Sequence, residues 1–211
     1  VHYYLPFNHV QKYSELIFHS IHDKIHYFVE LINQSKAKKI ENEEEKKQED
    51  KTVLKYEDLT RTLLSNLLNF SSNDDLRDII LGIYTSSKIK DLTIADNIWT
   101  KDIKFNFLKI IHQSGRIDLT LKTELLSKQV QDDNNSDLAK RAELACKSGL
   151  PDLESKKEVW QHILDPQNSL YTAIAYMSSF VVYDQIHLVK QFLTREFFES
   201  AIKLAETNNY H

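Results

Sequence analysis

Glycine and proline are scarce in this chain, three of each in 211 residues. So few backbone breakers suit a fold made largely of helix. The single cysteine, Cys146, excludes an intrachain disulfide and a Cys-rich zinc module. Set between Ala145 and Lys147, it reads as a small helix-packing residue and not as a catalytic thiol. No apolar run approaches the roughly 18 residues of a membrane span, and the start carries no signal-peptide pattern. Charge of one sign is missing too. A net charge of −4, from 27 basic and 31 acidic residues with the signs interspersed, gives no basic stripe for a nucleic acid. The negative excess is also far too small for acidic DNA mimicry.

Chemical motifs are equally thin. Gly82, Gly115 and Gly149 are too scattered to build a phosphate cradle. Asp132 and Asp133 start like a calcium loop but lack the glycine and bidentate glutamate that must follow, so capping of the next helix is their expected role. No strained strand–turn–helix elbow presents a nucleophilic serine, and His112, His162 and His187 stand alone. Trp160, Tyr176 and Phe180 fall at helical spacing and read as core anchors.

What the chain does have is apolar periodicity. Val10, Tyr13, Ile17, Ile21, Ile25, Phe28, Leu31 and Ile32 predict a long amphipathic helix over 10–32. Residues 34–51 form a charged insertion or an extended exposed helix. Leu59, Leu63, Leu64, Leu67 and Leu68 mark the next stripe. Asn73 or Asp74 caps a helix through Leu76, Ile79, Ile80, Ile83 and Tyr84. Ile103, Phe107, Ile110 and Ile111 follow, closed by Gly115 as a left-handed terminator. Leu121, Leu125 and Leu126 belong to the helix after that. A hairpin with readable ends comes next: Ser136 onward with Leu138, Ala142 and Ala145, a turn at Gly149-Leu150-Pro151-Asp152, then Val159, Trp160, Ile163 and Leu164. Asp165-Pro166 stops that helix, and Asn168 or Ser169 starts another through Leu170, Ile174 and Met177. Ile186, Val189, Leu193, Phe197, Phe198, Ala201, Ile202 and Ala205 finish the pattern. The sum is about nine or ten helices with a pair spacing of roughly 35–45 residues, which predicts an all-α solenoid of HEAT-like antiparallel pairs over 1–211. An irregular helical bundle is the competing architecture.

His22-Asp23-Lys24-Ile25-His26 places two histidines four apart on one helix face, a spacing that can hold zinc. Aspartate is one methylene too short for the general base of such a motif, and Glu45 as third ligand sits among too many acids to be distinctive. A histidine-rich helix surface explains the segment more simply. Arg61, Arg116, Arg141 and Arg195 remain as residues that could face a chamber or hold a neighbouring domain.

From Trp99 onward the chain resembles the C-terminal helical domain of zinc aminopeptidases of the aminopeptidase N and puromycin-sensitive class, most of all the bacterial aminopeptidase N branch. The likeness rests on Asp102 to Ile111, Gly115-Arg116, Asp132, Arg141, Ala142, Ala145, Pro151-Asp152, Lys156, Val159-Trp160, Asp184-Gln185 and Phe197-Phe198. A less specific part lies at Thr60 to Leu64 with Asp75 and Arg77. Asp132, Pro151, Lys156 and Trp160 in order are its most specific combination.

The resemblance implies a HEAT-like domain over a thermolysin-like catalytic domain of the same parent chain, where it closes and gates the peptide chamber. The zinc, its H-E-x-x-H helix and the downstream glutamate would lie in that other domain, so this chain is expected to be noncatalytic and to hold no cofactor. The 34–51 insertion departs from the family pattern. The start at a valine suggests a processed product or a piece of a longer protein. A cytoplasmic location is expected, with an upstream targeting signal left open, and no nucleic-acid partner. A stand-alone HEAT-like interaction scaffold is the alternative.

Overall fold

The computed structural model describes residues 7–165 and 167–192 together with Glu199 and Ile202. Pro166, Leu193, Arg195, Phe197, Phe198, Ala201 and Ala205 lie outside the described residues. The architecture is all-α with antiparallel helix pairs, a generic helical-repeat-like arrangement. The chain divides into two compact units, Val1–Phe107 and Leu108–His211.

In the first unit, α1 (Phe7–Ala37) packs along α2 (Glu43–Leu68). Residues 34–51 are the end of α1, a short link and the first turns of α2, whose N-cap Asn42 accepts the Glu44 N–H at 2.9 Å. The buried face of α2 is Val53, Glu57, Thr60, Leu64 and Leu67, the 4–3–4–3 spacing of a two-helix seam. Leu59, expected on the seam, is instead exposed. On α1 the buried positions are Val10, Ser14, Phe18, Ile25, Val29, Ile32 and Ser35. Tyr13 faces solvent, so the true face lies one residue round from the expected one at its N-terminal end. The stripe of large apolar residues misled here because serine, threonine and glutamate occupy seam positions.

After α3 (Asp74–Ser86), capped by the Asn73 side chain on the Leu76 N–H at 3.0 Å, comes a hairpin of two-residue strands. In it β1 (Lys88–Ile89) pairs antiparallel with β2 (Leu92–Thr93). It carries no glycine; Ser87 and Lys90 supply the left-handed backbone at φ 52° and 54°. Asp23 and His26 of α1 hold the hairpin turn, by Lys90 at 2.8 Å and Asp91 at 3.3 Å. A 3-10 turn at Asp96–Ile98 leads to α4 (Lys101–His112).

The helix α4 does not end on a left-handed glycine: among the described residues no glycine has positive φ. Gln113 and Ser114 close it with 3-10 bonds to Ile110 and Ile111, and the Ser114 hydroxyl accepts from the N–H groups of Arg116 and Ile117. The hydroxyl supplies the turn that glycine was expected to make.

The second unit contains α5 (Leu119–Asp132), α6 (Asp137–Gly149), α7 (Leu153–Leu164), α8 (Leu170–Phe180) and the short α9 (Ile186–Val189). Between α5 and α6, Asn134 and Asn135 take φ 56° and 55°. Ser136, and not Asp132 or Asp133, caps α6 by accepting the Ala139 N–H, while Asp133 closes α5 and accepts the Ser136 hydroxyl. The small face of α6, Ala139, Ala142, Ala145, Cys146 and Gly149, is buried. This helix packs chiefly along α8, and less on its hairpin neighbour α7. Val159, Ile163, Tyr176, Phe180 and Val189 form an apolar cluster, with Trp160 stacked on Phe180 and Phe192 at its edge.

Candidate functional site

The densest polar geometry of the second unit lies at helix C-termini, where the last carbonyls lack partners inside their own helices. Lys156 of α7 is fully buried, and its Nζ donates to Ser148 O at 2.6 Å and Phe180 O at 2.9 Å, the ends of α6 and α8. Gln185 donates from Nε2 to Gly149 O at 3.1 Å and Gln113 O at 2.9 Å. Lys122 of α5, also buried, donates to His112 O at 3.3 Å and Ser114 O at 2.5 Å, just past α4. Three side chains from three elements thus satisfy the ends of α4, α6 and α8.

The electrostatics follow from burial. Loss of water pushes the Lys156 ammonium down to about 8, against the opposing pull of Asp152 and Asp184. Burial likewise lowers His112 to about 4, so its ring is neutral and its Nδ1 bonds Leu108 O at 2.8 Å. Cys146 is raised to about 12, again by burial. A nucleophile needs both an accessible atom and a usable proton affinity. Neither Lys156 nor Cys146 has the first.

The other expected residues take ordinary structural places. Asp132 is the exposed last residue of α5, Ala142 is buried on α6, Pro151 sits in the α6–α7 turn, and Gly115 is exposed beyond the Ser114 turn. Arg61, in the first unit, bonds Asp58 at 2.5 Å and Asn97 O at 2.8 Å. It also lies 4.0 Å from the buried Glu57. Burial raises the Glu57 pKa, but hydrogen bonds from Lys36 and Asn97 and the charges of Lys36 and Arg61 outweigh it and hold the carboxyl below its usual range. Arg116 is exposed after α4, and Arg141 is exposed on α6 with its Nε on Asp137 O at 3.2 Å. Arg195 lies outside the described residues.

Zinc does not fit the histidine-rich helix. His22 stacks on Phe18 and the His26 Nε2 is engaged by Asp91 at 3.3 Å. Among the described residues no three His, Cys, Asp or Glu side chains gather as a ligand set. Nor is any described helix long and apolar enough to cross a membrane.

Sequence reasoning also missed a groove of the second unit. Asp137, Lys140, Arg141, Leu144, Tyr171 and Thr172 line a groove of ≈ 370 Å³ between α6 and α8. The adjacent Lys140-Arg141 pair was its only linear signal; Tyr171 comes to it through the α6–α8 packing.

Compared with known protein families, with curated proteins and with solved structures, the chain has no match in any of the three.

Proposed function

We propose that this chain is a noncatalytic helical domain, the HEAT-like C-terminal domain of a zinc-dependent aminopeptidase, which closes and gates the peptide chamber of a thermolysin-like domain in the same parent protein. One observation supports it above the rest. Lys156 and Gln185, both carriers of the family resemblance, engage consecutive carbonyls at the end of α6, Ser148 O and Gly149 O. Such residues hold helix ends and offer no atom to a substrate. The chemistry of the parent, removal of amino-terminal residues from peptides with one zinc, would belong to the other domain.

The test is enzymatic. The purified chain should leave aminoacyl reporters intact with zinc present, and the same chain joined to its thermolysin-like domain should cleave them. Zinc-dependent cleavage by the isolated chain, abolished when His22 and His26 are both replaced, would sink the proposal. The full reading frame separates the alternative: an upstream H-E-x-x-H with a distant glutamate supports the aminopeptidase, and a complete short frame supports a stand-alone scaffold.

A further inference from the structure

The packing of α6 along α8 brings two cations and an exposed aromatic ring to one groove. Asp137, Lys140 and Arg141 stand at i, i+3 and i+4 on α6, so their side chains share a face of the helix. Leu144, at i+7, continues that face and is half-buried against the apolar cluster of the unit, which fixes its place. Tyr171 and Thr172, in the first turn of α8, line the other side. Tyr171 is 74 % exposed. A ring held in water beside a leucine is apolar surface that a bound apolar body would cover.

The charges of the groove do not cancel. Lys140 and Arg141 face one carboxylate, Asp137, which leaves a net +1. That carboxylate engages them loosely. Lys140 Nζ is 3.5 Å from Asp137, both side chains are largely exposed, and solvent screens the pair. Arg141 bonds through Nε to the backbone oxygen of Asp137 at 3.2 Å. Its two Nη groups remain as the parallel donors with which a guanidinium holds a carboxylate.

We infer that the α6–α8 groove is a binding site for a small monocarboxylate carried on an aromatic or apolar body. The carboxylate sits on Arg141 with Lys140 beside it, and the body lies on Tyr171 and Leu144. One negative charge matches the net +1, whereas a phosphate dianion would bring a second one to Asp137 uncompensated. An uncharged apolar molecule would take water from Arg141 and give it no acceptor. The volume of ≈ 370 Å³ falls at the small end of ligand clefts, about 300–1,000 Å³, and suits a molecule of one ring. The site needs neither a second domain nor zinc, so it stands apart from the aminopeptidase reading.

The probe is N-acetyl-L-phenylalanine, with one ring and one carboxylate. Its carboxamide offers the same body without charge, and phenyl phosphate offers the ring with a dianion. Each is titrated into the full chain at pH 7.5 and followed by amide NMR shifts. The acid should move residues 137–144 and 170–172 and saturate with a Kd of about 1 mM or below. The carboxamide and phenyl phosphate should bind at least about fivefold more weakly. Arg141→Gln should weaken the acid by about tenfold and Tyr171→Ala by about threefold. Asp137→Asn should bring phenyl phosphate level with the acid. Lys147→Gln removes an exposed cation of α6 that pairs with Glu158 outside the groove, and should change nothing. Circular dichroism should stay that of the wild type in all four variants, because these side chains are exposed. No saturable shift up to about 10 mM, equal binding of acid and carboxamide, or shifts centred elsewhere overturns the inference. So does Arg141→Gln having no more effect than Lys147→Gln. None of these readings involves peptide cleavage, so failure here leaves the aminopeptidase reading to its own test.

Discussion

The Nζ of Lys156 lies 2.6 Å from the carbonyl of Ser148 and 2.9 Å from that of Phe180, so one side chain closes two helices. Replacing it with methionine keeps the aliphatic stem and removes both bonds. Lys156→Met should cost about 1–3 kcal/mol at pH 7, read by urea unfolding, because two buried carbonyls lose their donor.

The pH dependence of that same residue has a definite sign. Its pKa falls from 10.5 to about 8 on folding, so between those values the folded state binds fewer protons than the unfolded one. Stability attributable to Lys156 therefore rises as pH climbs from about 8 to 10.5, and the neutral amine still has two N–H bonds for its two acceptors. Urea midpoints of the wild type minus those of Lys156→Met should diverge across this window. Parallel curves would contradict the assignment.

Glycines 82 and 149 should respond oppositely. A methyl group at Gly82, inside α3, would meet nothing within 4 Å, so Gly82→Ala should stabilise by about 0.5–1 kcal/mol through helix propensity. At Gly149 a Cβ would already sit 3.2 Å from Gln113 Cγ and 3.6 Å from Ser179 Cβ. Gly149→Val should destabilise by about 1–3 kcal/mol, the cost of overpacking. Thermal melts of the two variants give both signs directly.

The thiol of Cys146 should ignore an aromatic disulfide reagent in the native protein and react fully once denatured. Burial both raises its pKa to about 12 and denies access. Stoichiometric native reaction would show that the α6 face opens.

The clasp between α1 and the hairpin can be followed by carboxyl titration. A backbone hydrogen bond, then one from His26, lowers the Asp91 pKa, so its ionised form is favoured above its ordinary range and the contribution is lost as pH falls through the lowered value. His26→Ala should move the Asp91 carbon resonance titration toward an ordinary aspartate. No change would mean that the 3.3 Å contact carries no charge interaction.

Much of this fold could be read from the chain alone, for identifiable reasons. Asn73, Asp152 and Ser169 stand directly ahead of apolar periodicity, and each caps its helix through a side-chain oxygen. Caps are local, so local sequence announces them. The burial of Lys122 and Lys156 was hidden because a lysine within a helical pattern looks solvated until distant helix ends converge on it. The same holds for the partner of α6. Its small face is plain in the sequence, but only packing decides that α8 and not α7 lies along it. The turn at residues 132–136 was legible as a turn and misassigned in detail, since serine and two asparagines competed with two aspartates for the capping role.

The carboxylate of Glu57 also governs how α1 and α2 can slide past each other. A 4–3 repeat alone tolerates displacement by a whole heptad, about 10 Å, because apolar positions would meet apolar positions again. Such a slip would part Glu57 from Lys36, now 2.8 Å away, and leave its charge in the seam with one hydrogen bond fewer. The Lys36–Glu57 pair therefore opposes such a slip of α1 along α2, and adds to the seam a selectivity that leucines alone could not supply.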